Sequence, residues 1–163
     1  MAIYGPATKA KPTEIGRKRR FFTIEHANKT LPFVKRVVAD IIKQHRKVGA
    51  IEEKCHIHRP SVSREEHENL CGQYRVQLEK LRDLTDELAV VGCSLRDMRR
   101  GIVDFPSMHR GRLVELCWRL GQDSIQFWHE VGEGFQSRRE IDKEFTAQVT
   151  ASDPAVSTFE AIG

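Results

Sequence analysis

From Phe33 onward, Val34, Val37, Val38, Ile41, Ile42, Val48 and Ile51 recur at spacings of three and four, which puts them on one stripe of an amphipathic helix running to about Cys55. His45 falls on the same stripe. Ahead of it a shorter helical piece is predicted: Phe21-Phe22 is an apolar entry, Thr23 can cap a turn from Ile24 to Lys29, and Thr30-Leu31-Pro32 restarts the helix, since proline is tolerated in a first turn. The segment from His56 to Ser61 reads as a break. Ser63-x-x-Glu66 is then a capping box, and a second stripe of His67, Leu70, Tyr74, Leu78, Leu81, Leu84, Leu88 and Val91 drifts between threes and fours to a stop at Gly92. Two such helices joined by a short loop predict an antiparallel hairpin. Its leftover apolar face must be covered by the C-terminal part of the chain, by a second copy, or by both.

After Gly92 the pattern changes to alternation. Gly101-Ile102-Val103-Asp104-Phe105-Pro106 reads as a short strand closed by proline, Leu113 to Leu120 alternates with Val114, Leu116, Trp118 and Leu120 on one side, and Ile125 to Val131 does so with Ile125, Phe127 and Val131. Gly121-Gln122-Asp123-Ser124 is the turn between the last two. As a two-residue hairpin loop it pairs Leu120 with Ile125, Trp118 with Phe127, Leu116 with His129 and Cys117 with Trp128. Trp118 and His129 then face the core, while Cys117 and Trp128 face away. A three-residue loop would set Cys117 opposite His129, but it would also set Leu116 against Glu130 and Leu120 against Gln126, mixing the two faces. The expectation is therefore the two-residue register and an α+β fold: a long antiparallel helical hairpin with a small two- or three-stranded antiparallel sheet packed against it. Residues 21–142 form this single domain, residues 1–20 a disordered basic arm, and residues 143–163 a loosely ordered tail.

Length and composition agree with that picture. A chain of 163 residues, 39% apolar and 31% charged, fits one globular domain. No apolar run approaches the ~20 residues of a membrane span. The N-terminal segment lacks the apolar core and cleavage site of a secretory signal, so the expected location is the cytoplasm, with Cys55, Cys71, Cys93 and Cys117 reduced. The formal net charge of +4 resides in the arm, where Lys9, Lys11, Arg17, Lys18, Arg19 and Arg20 stand against Glu14 alone. Arg17, Lys18, Arg19 and Arg20 are candidates for nucleic-acid contact through counterion release, set against the plainer reading of a solvated tail.

Two clusters carry candidate chemistry. Cys55-x-x-His58 and His67-x-x-x-Cys71 flank the interhelical loop. His67 and Cys71 share a helix face while Cys55 and His58 lie where the first helix frays, so four ligands can converge on a structural zinc at the hairpin tip. The bland alternative is two ordinary cysteines beside solvated histidines. The second cluster is Asp104, Cys117, Arg119, Trp128, His129 and Glu130, joined by Arg138. A histidine on an apolar face is more often a core residue whose ring is satisfied by a carboxylate, here Asp104, than a catalyst. Its functional counterpart is a small enzyme in which Asp104 orients His129 as general base. Cys117 as a nucleophile beside His129 is disfavoured, because the expected register places them on opposite faces. Cys117, Arg119, Trp128, Glu130 and Arg138 together form a mixed-charge aromatic surface of the kind enriched in protein contacts.

The run Phe22-Thr-x-Glu25-x-Ala27-Asn28-x-x-Leu31-Pro32, then Gly101-x-Val103-Asp104-Phe105-Pro106, Gly111-Arg112, Leu116-Cys117-Trp118-x-Leu120-Gly121, Phe127-Trp128-His129 and Gly134-Phe135-x-x-Arg138 resembles the bacterial domain-of-unknown-function family numbered two thousand two hundred and three. The likeness covers about residues 21 to 142 and implies a fold but no activity. No phosphate-binding loop, zinc-protease helix or nucleophile elbow occurs. The leading expectation is a cytoplasmic, non-enzymatic binding or scaffolding protein, homo-oligomeric or with a protein partner and no membrane. The alternatives are the Asp104–His129 enzyme and a nucleic-acid accessory acting through the arm.

Overall fold

The computed structural model describes residues 21–57 and 63–145. Two helices, α1 (Ile24–Ile57) and α2 (Arg64–Val91), are followed by five strands: β1 (Ser94–Asp97), β2 (Ile102–His109), β3 (Arg112–Arg119), β4 (Phe127–Glu130) and β5 (Arg139–Glu140). The strands form one antiparallel meander in chain order. The fold is α+β, with a helical hairpin against a sheet of five strands where two or three were expected. The basic arm from Arg17 to Arg20 and His58 lie outside the described residues.

The short first helix and the long second one are a single helix with Pro32 inside it. Proline in a helix interior costs about 3 kcal/mol. That loss is outweighed because Ala27, Leu31 and Val34, on both sides of it, are all buried in the core, at roughly 1.5–3 kcal/mol for each large apolar side chain. Thr23 caps the start, its Oγ1 accepting from the backbone N–H of His26 at 3.0 Å. At α2 the capping box is complete: Ser63 Oγ accepts from Glu66 N–H and Ser63 N–H donates to Glu66 Oε2. Gly92 ends α2 in the left-handed conformation at φ 104°, where a side chain would be strained. Between the helices, Gln44 Nε2 donates to the carbonyl and the side chain of Gln77 at 2.8 and 2.9 Å.

β2 does not stop at Pro106 but runs on to His109, where Arg110 (φ 50°) and Gly111 (φ 72°) make the two-residue turn into β3. The proline is tolerated because β1 begins at Ser94, opposite Asp104, leaving Pro106 beyond its reach. The Pro106 carbonyl instead accepts from Phe22 N–H at 2.7 Å, and Ser107 Oγ donates to the Phe22 carbonyl. On the helix-facing side Val103, Phe105, Val114, Leu116, Trp118 and Trp128 join Phe22, Leu31, Val34, Val38 and Ile41 in one core.

The β3–β4 register differs from the expected one by a single residue. Leu116 pairs with Trp128, Cys117 with Phe127 and Glu115 with His129. A one-residue slip exchanges the faces of an entire strand. Trp118 and Trp128 therefore share the core face, and Cys117 and His129 share the outer one. The connection is not a tight hairpin loop: Gln122 Oε1 accepts from Arg119 N–H, the Gln122 carbonyl accepts from Trp118 Nε1–H, and Ile125 N–H donates out of the sheet to Asn28 Oδ1 on α1. Ile125 is buried in the loop rather than paired in a strand, and Val131 is exposed.

Candidate functional site

The corrected register gathers a polar cluster on the face of the sheet turned away from the helices. Asp104 from β2 and Cys117 from β3 are direct cross-strand partners, and His129 from β4 reaches over the same face. His129 Nε2 lies 3.3 Å from Asp104 Oδ1, and His129 Nδ1–H donates to the Glu130 carbonyl at 2.9 Å. One ligand-type atom from each of Asp104, Cys117 and His129 lies within 4.8 Å of the other two. Asp104 and His129 are each 1% exposed and Cys117 is fully covered.

A buried carboxylate needs charged or hydrogen-bonding partners. Arg96 supplies them from β1: its Nε donates to Asp104 Oδ2 at 2.7 Å and its Nη2 to Glu115 Oε2 at 2.6 Å. Glu115 Oε2 is also 3.6 Å from His129 Nδ1. From the segment after β4, Arg138 lays its guanidinium over the rings of Phe135 and Phe127, with Nε donating to the Phe135 carbonyl. Burial, reinforced by the neighbouring Asp104 carboxylate, pushes the Cys117 thiol up to about 12, while Arg138 pulls it the other way. At rest Cys117 is thus a thiol, not a nucleophilic thiolate.

The opposite face, at the far end of the sheet, carries a cavity of about 480 Å³ lined by His109, Arg110, Arg112, Trp128, Glu130, Arg139, Asp142, Glu144 and Phe145. Its wall is aromatic. His109 stacks on Phe145 with ring centroids 4.4 Å apart, Trp128 lies 5.0 Å from His109, and Arg139 caps the Trp128 ring at 4.9 Å. Arg112 and Arg139 both pair with Glu130, and Arg110 pairs with Glu144. Among the described residues, buried His109 Nδ1 has no hydrogen-bond partner. Burial first, then the Arg110 charge, hold the His109 pKa below its ordinary value.

The structure thus divides the candidate residues into separate places. Asp104, Cys117 and His129 come together on the outer face, with Arg138 beside Cys117. Trp128 and Glu130 belong to the cavity on the other face. Arg119 is exposed at the end of β3, so the single surface of Cys117, Arg119, Trp128, Glu130 and Arg138 is not one patch. At the hairpin tip, Cys71 Sγ stands 3.7 Å from His67 Nε2 and both Cys55 and Cys71 are half-buried. Among the described residues the only three-ligand group is the Asp104 cluster. Arg96, Glu115 and His109 were missed in the sequence. Alternation does put Glu115 on the face of Cys117, two residues on, but its place beside His129 depended on the register. Arg96 required β1, which has no alternating pattern to announce it. Phe145, assigned to the loose tail, is 1% exposed against His109.

Residues 20–141 match the model of a family described as "Uncharacterized conserved protein (DUF2203)". No protein of curated function and no solved structure matches the chain. No described helix is long and apolar enough to cross a membrane.

Proposed function

Because the chain belongs to the DUF2203 family of uncharacterized conserved proteins, a membership that brings no activity with it, we propose from geometry alone that it is a non-enzymatic cytoplasmic binding protein that takes a protein partner at the cavity beside β3, β4 and β5. The observation that carries this reading is the closure of the alternative site. A general base must reach its substrate, yet Asp104 and His129 are each 1% exposed and the cavity opens on the opposite face. What the cavity offers is recognition chemistry: an aromatic wall, a rim of arginines, and a histidine nitrogen with hydrogen-bonding capacity to spare. Aromatic and arginine side chains are enriched at protein contacts. A second copy of the chain is the first partner to test, because α2 also leaves Val76, Leu78 and Val90 exposed.

The test is light scattering over a concentration series, together with capture of interacting proteins on the immobilised chain, for the natural sequence and for Arg112→Glu/Arg139→Glu. The expected result is a dimer or a specific captured protein that the double charge reversal removes while the fold stays intact. A chain that is monomeric and captures nothing overturns the proposal. So does any turnover that Asp104→Asn abolishes, which would point to the acid–base enzyme instead.

A further inference from the structure

Asp104, Cys117 and His129 come from three different strands and lie 13 and 12 residues apart in sequence, yet they place a carboxylate oxygen, a sulfur and an imidazole nitrogen within 4.8 Å of one another. We propose that they form a site for a single borderline transition-metal dication, zinc being the type case, bound through Asp104 Oδ1, Cys117 Sγ and His129 Nε2. This is a different place from both the cavity and the hairpin-tip cysteines.

The spacing fits the ion. In a tetrahedral zinc centre with Zn–N and Zn–O bonds of about 2.0–2.1 Å, a nitrogen and an oxygen ligand sit about 3.3–3.4 Å apart. His129 Nε2 and Asp104 Oδ1 are 3.3 Å apart. Zinc–sulfur bonds of about 2.3 Å set the sulfur about 3.6 Å from the other two ligands, so the sulfur needs to close in by little more than 1 Å from the outer limit of the cluster. The donor set selects the ion. A thiolate with an imidazole favours zinc and its neighbours over magnesium or calcium, which take oxygen ligands.

The surrounding hydrogen bonds are those a metal site needs. A carbonyl can only accept, so the 2.9 Å contact with the Glu130 carbonyl puts a proton on His129 Nδ1. That directs the ring so that Nε2 faces the cluster. With Nδ1 committed to that carbonyl, Nε2 and Asp104 Oδ1 at 3.3 Å would meet as two acceptors unless a proton or a metal cation lies between them, and the two can exchange at the same place. Arg96 occupies Asp104 Oδ2 at 2.7 Å and leaves Oδ1 available. Outer-shell partners of this kind, on the second ring nitrogen and the second carboxylate oxygen, orient metal ligands in known sites. Arg138, stacked on Phe135, lies beside Cys117 on the same face.

Binding involves no change of oxidation state. Cys117 gives up its S–H proton and the His129–Asp104 pair gives up the proton held between them, both to solvent, as each ligand donates a lone pair to the metal. One dication replaces two protons, so the buried cluster keeps its charge.

The experiment uses the full chain carrying Cys55→Ser and Cys71→Ser, stripped by chelator and titrated with cobalt(II). One equivalent per chain should bind with a thiolate-to-cobalt charge-transfer band and tetrahedral d–d bands, zinc should displace it, and zinc should raise the melting temperature. Adding Cys117→Ser should remove the charge-transfer band. Arg96→Gln, which keeps all three ligands, should weaken affinity about 10–100-fold, the usual effect of losing an outer-shell partner. The proposal is overturned if the folded parent binds no cobalt, or if the charge-transfer band survives Cys117→Ser. If Cys117→Ser does not fold, the Arg96→Gln affinity decides: an unchanged affinity rejects the site.

Discussion

Gly101→Ala tests how closely the sheet approaches α1. Gly101 ends the β1–β2 connection with φ +64°, and its carbonyl accepts from Leu120 N–H at 3.0 Å. A Cβ added there would meet Val38 Cγ1 and Leu120 Cβ at 2.9 Å each and Ile42 Cδ1 at 3.1 Å. Two costs add. A left-handed conformation in a non-glycine residue costs about 1–2 kcal/mol, and forcing a methyl into a packed core costs about 1–3 kcal/mol. The expected loss is roughly 2–5 kcal/mol by adding those two ranges. Gly111→Ala is the matched control: its φ of +72° is similar, but nothing lies within 4 Å of the added Cβ, so only the first cost applies. Urea unfolding of both variants at unchanged m-value measures the difference, expected at about 1–3 kcal/mol. In thermal unfolding each kcal/mol is worth roughly 2–4 °C for a chain of this size. If Gly101→Ala costs no more than Gly111→Ala, the sheet does not sit against Val38 and Ile42 as described.

Three further outcomes are expected. Arg96→Ala strips a partner from a buried carboxylate, a change worth up to about 3–5 kcal/mol, whereas Arg100→Ala breaks a surface pair with Asp97 and a contact over the Phe135 ring, worth about 0–1 kcal/mol each; equal denaturation midpoints for the two variants would contradict the buried network. Cys93 is pushed up to about 12 by burial and its S–H donates to the Leu88 carbonyl. Its raised pKa therefore contributes stability that is complete below about pH 9 and declines above it by about 1.4 kcal/mol per pH unit; Cys93→Ala should flatten that alkaline decline, and thiol reagents at neutral pH should label Cys55 and Cys71 but spare Cys93 and Cys117. The lowered pKa of His109 works in the opposite direction: its contribution is complete above about pH 6.5 and is lost as the pH falls towards its folded value. His109→Phe keeps the stacking on Phe145 and should remove that part of the acid loss; an unchanged acid profile would show that burial does not control the ring.

The helices were legible because their signals are local. The Ser63 capping box, the Gly92 stop and the two apolar stripes each need only neighbouring residues. Pro32 misled because the core contacts of Ala27, Leu31 and Val34, which keep the helix continuous through it, are long-range. The candidate site was harder to read for the same reason. Asp104 and His129 stood out as polar residues in apolar runs, but their face depended on a loop whose conformation is set by the Gln122 side chain and by Asn28, 97 residues away. The alternation of Ile125, Phe127 and Val131 looked like a strand face, yet only Phe127 among them is paired in β4. That single-residue slip moved Cys117 from the far side of the sheet to the side of His129.

The meander also determines how a partner can approach. β5 is two residues long and β1 four, with a register break between Leu95 and Asp97, and Phe22 already takes the Pro106 carbonyl on the β1 side. Among the described residues, neither margin presents a run of free amides and carbonyls long enough to template another strand. The edges of the described sheet therefore work against strand addition and against edge-to-edge stacking. Any chain that docks here must be read through side chains.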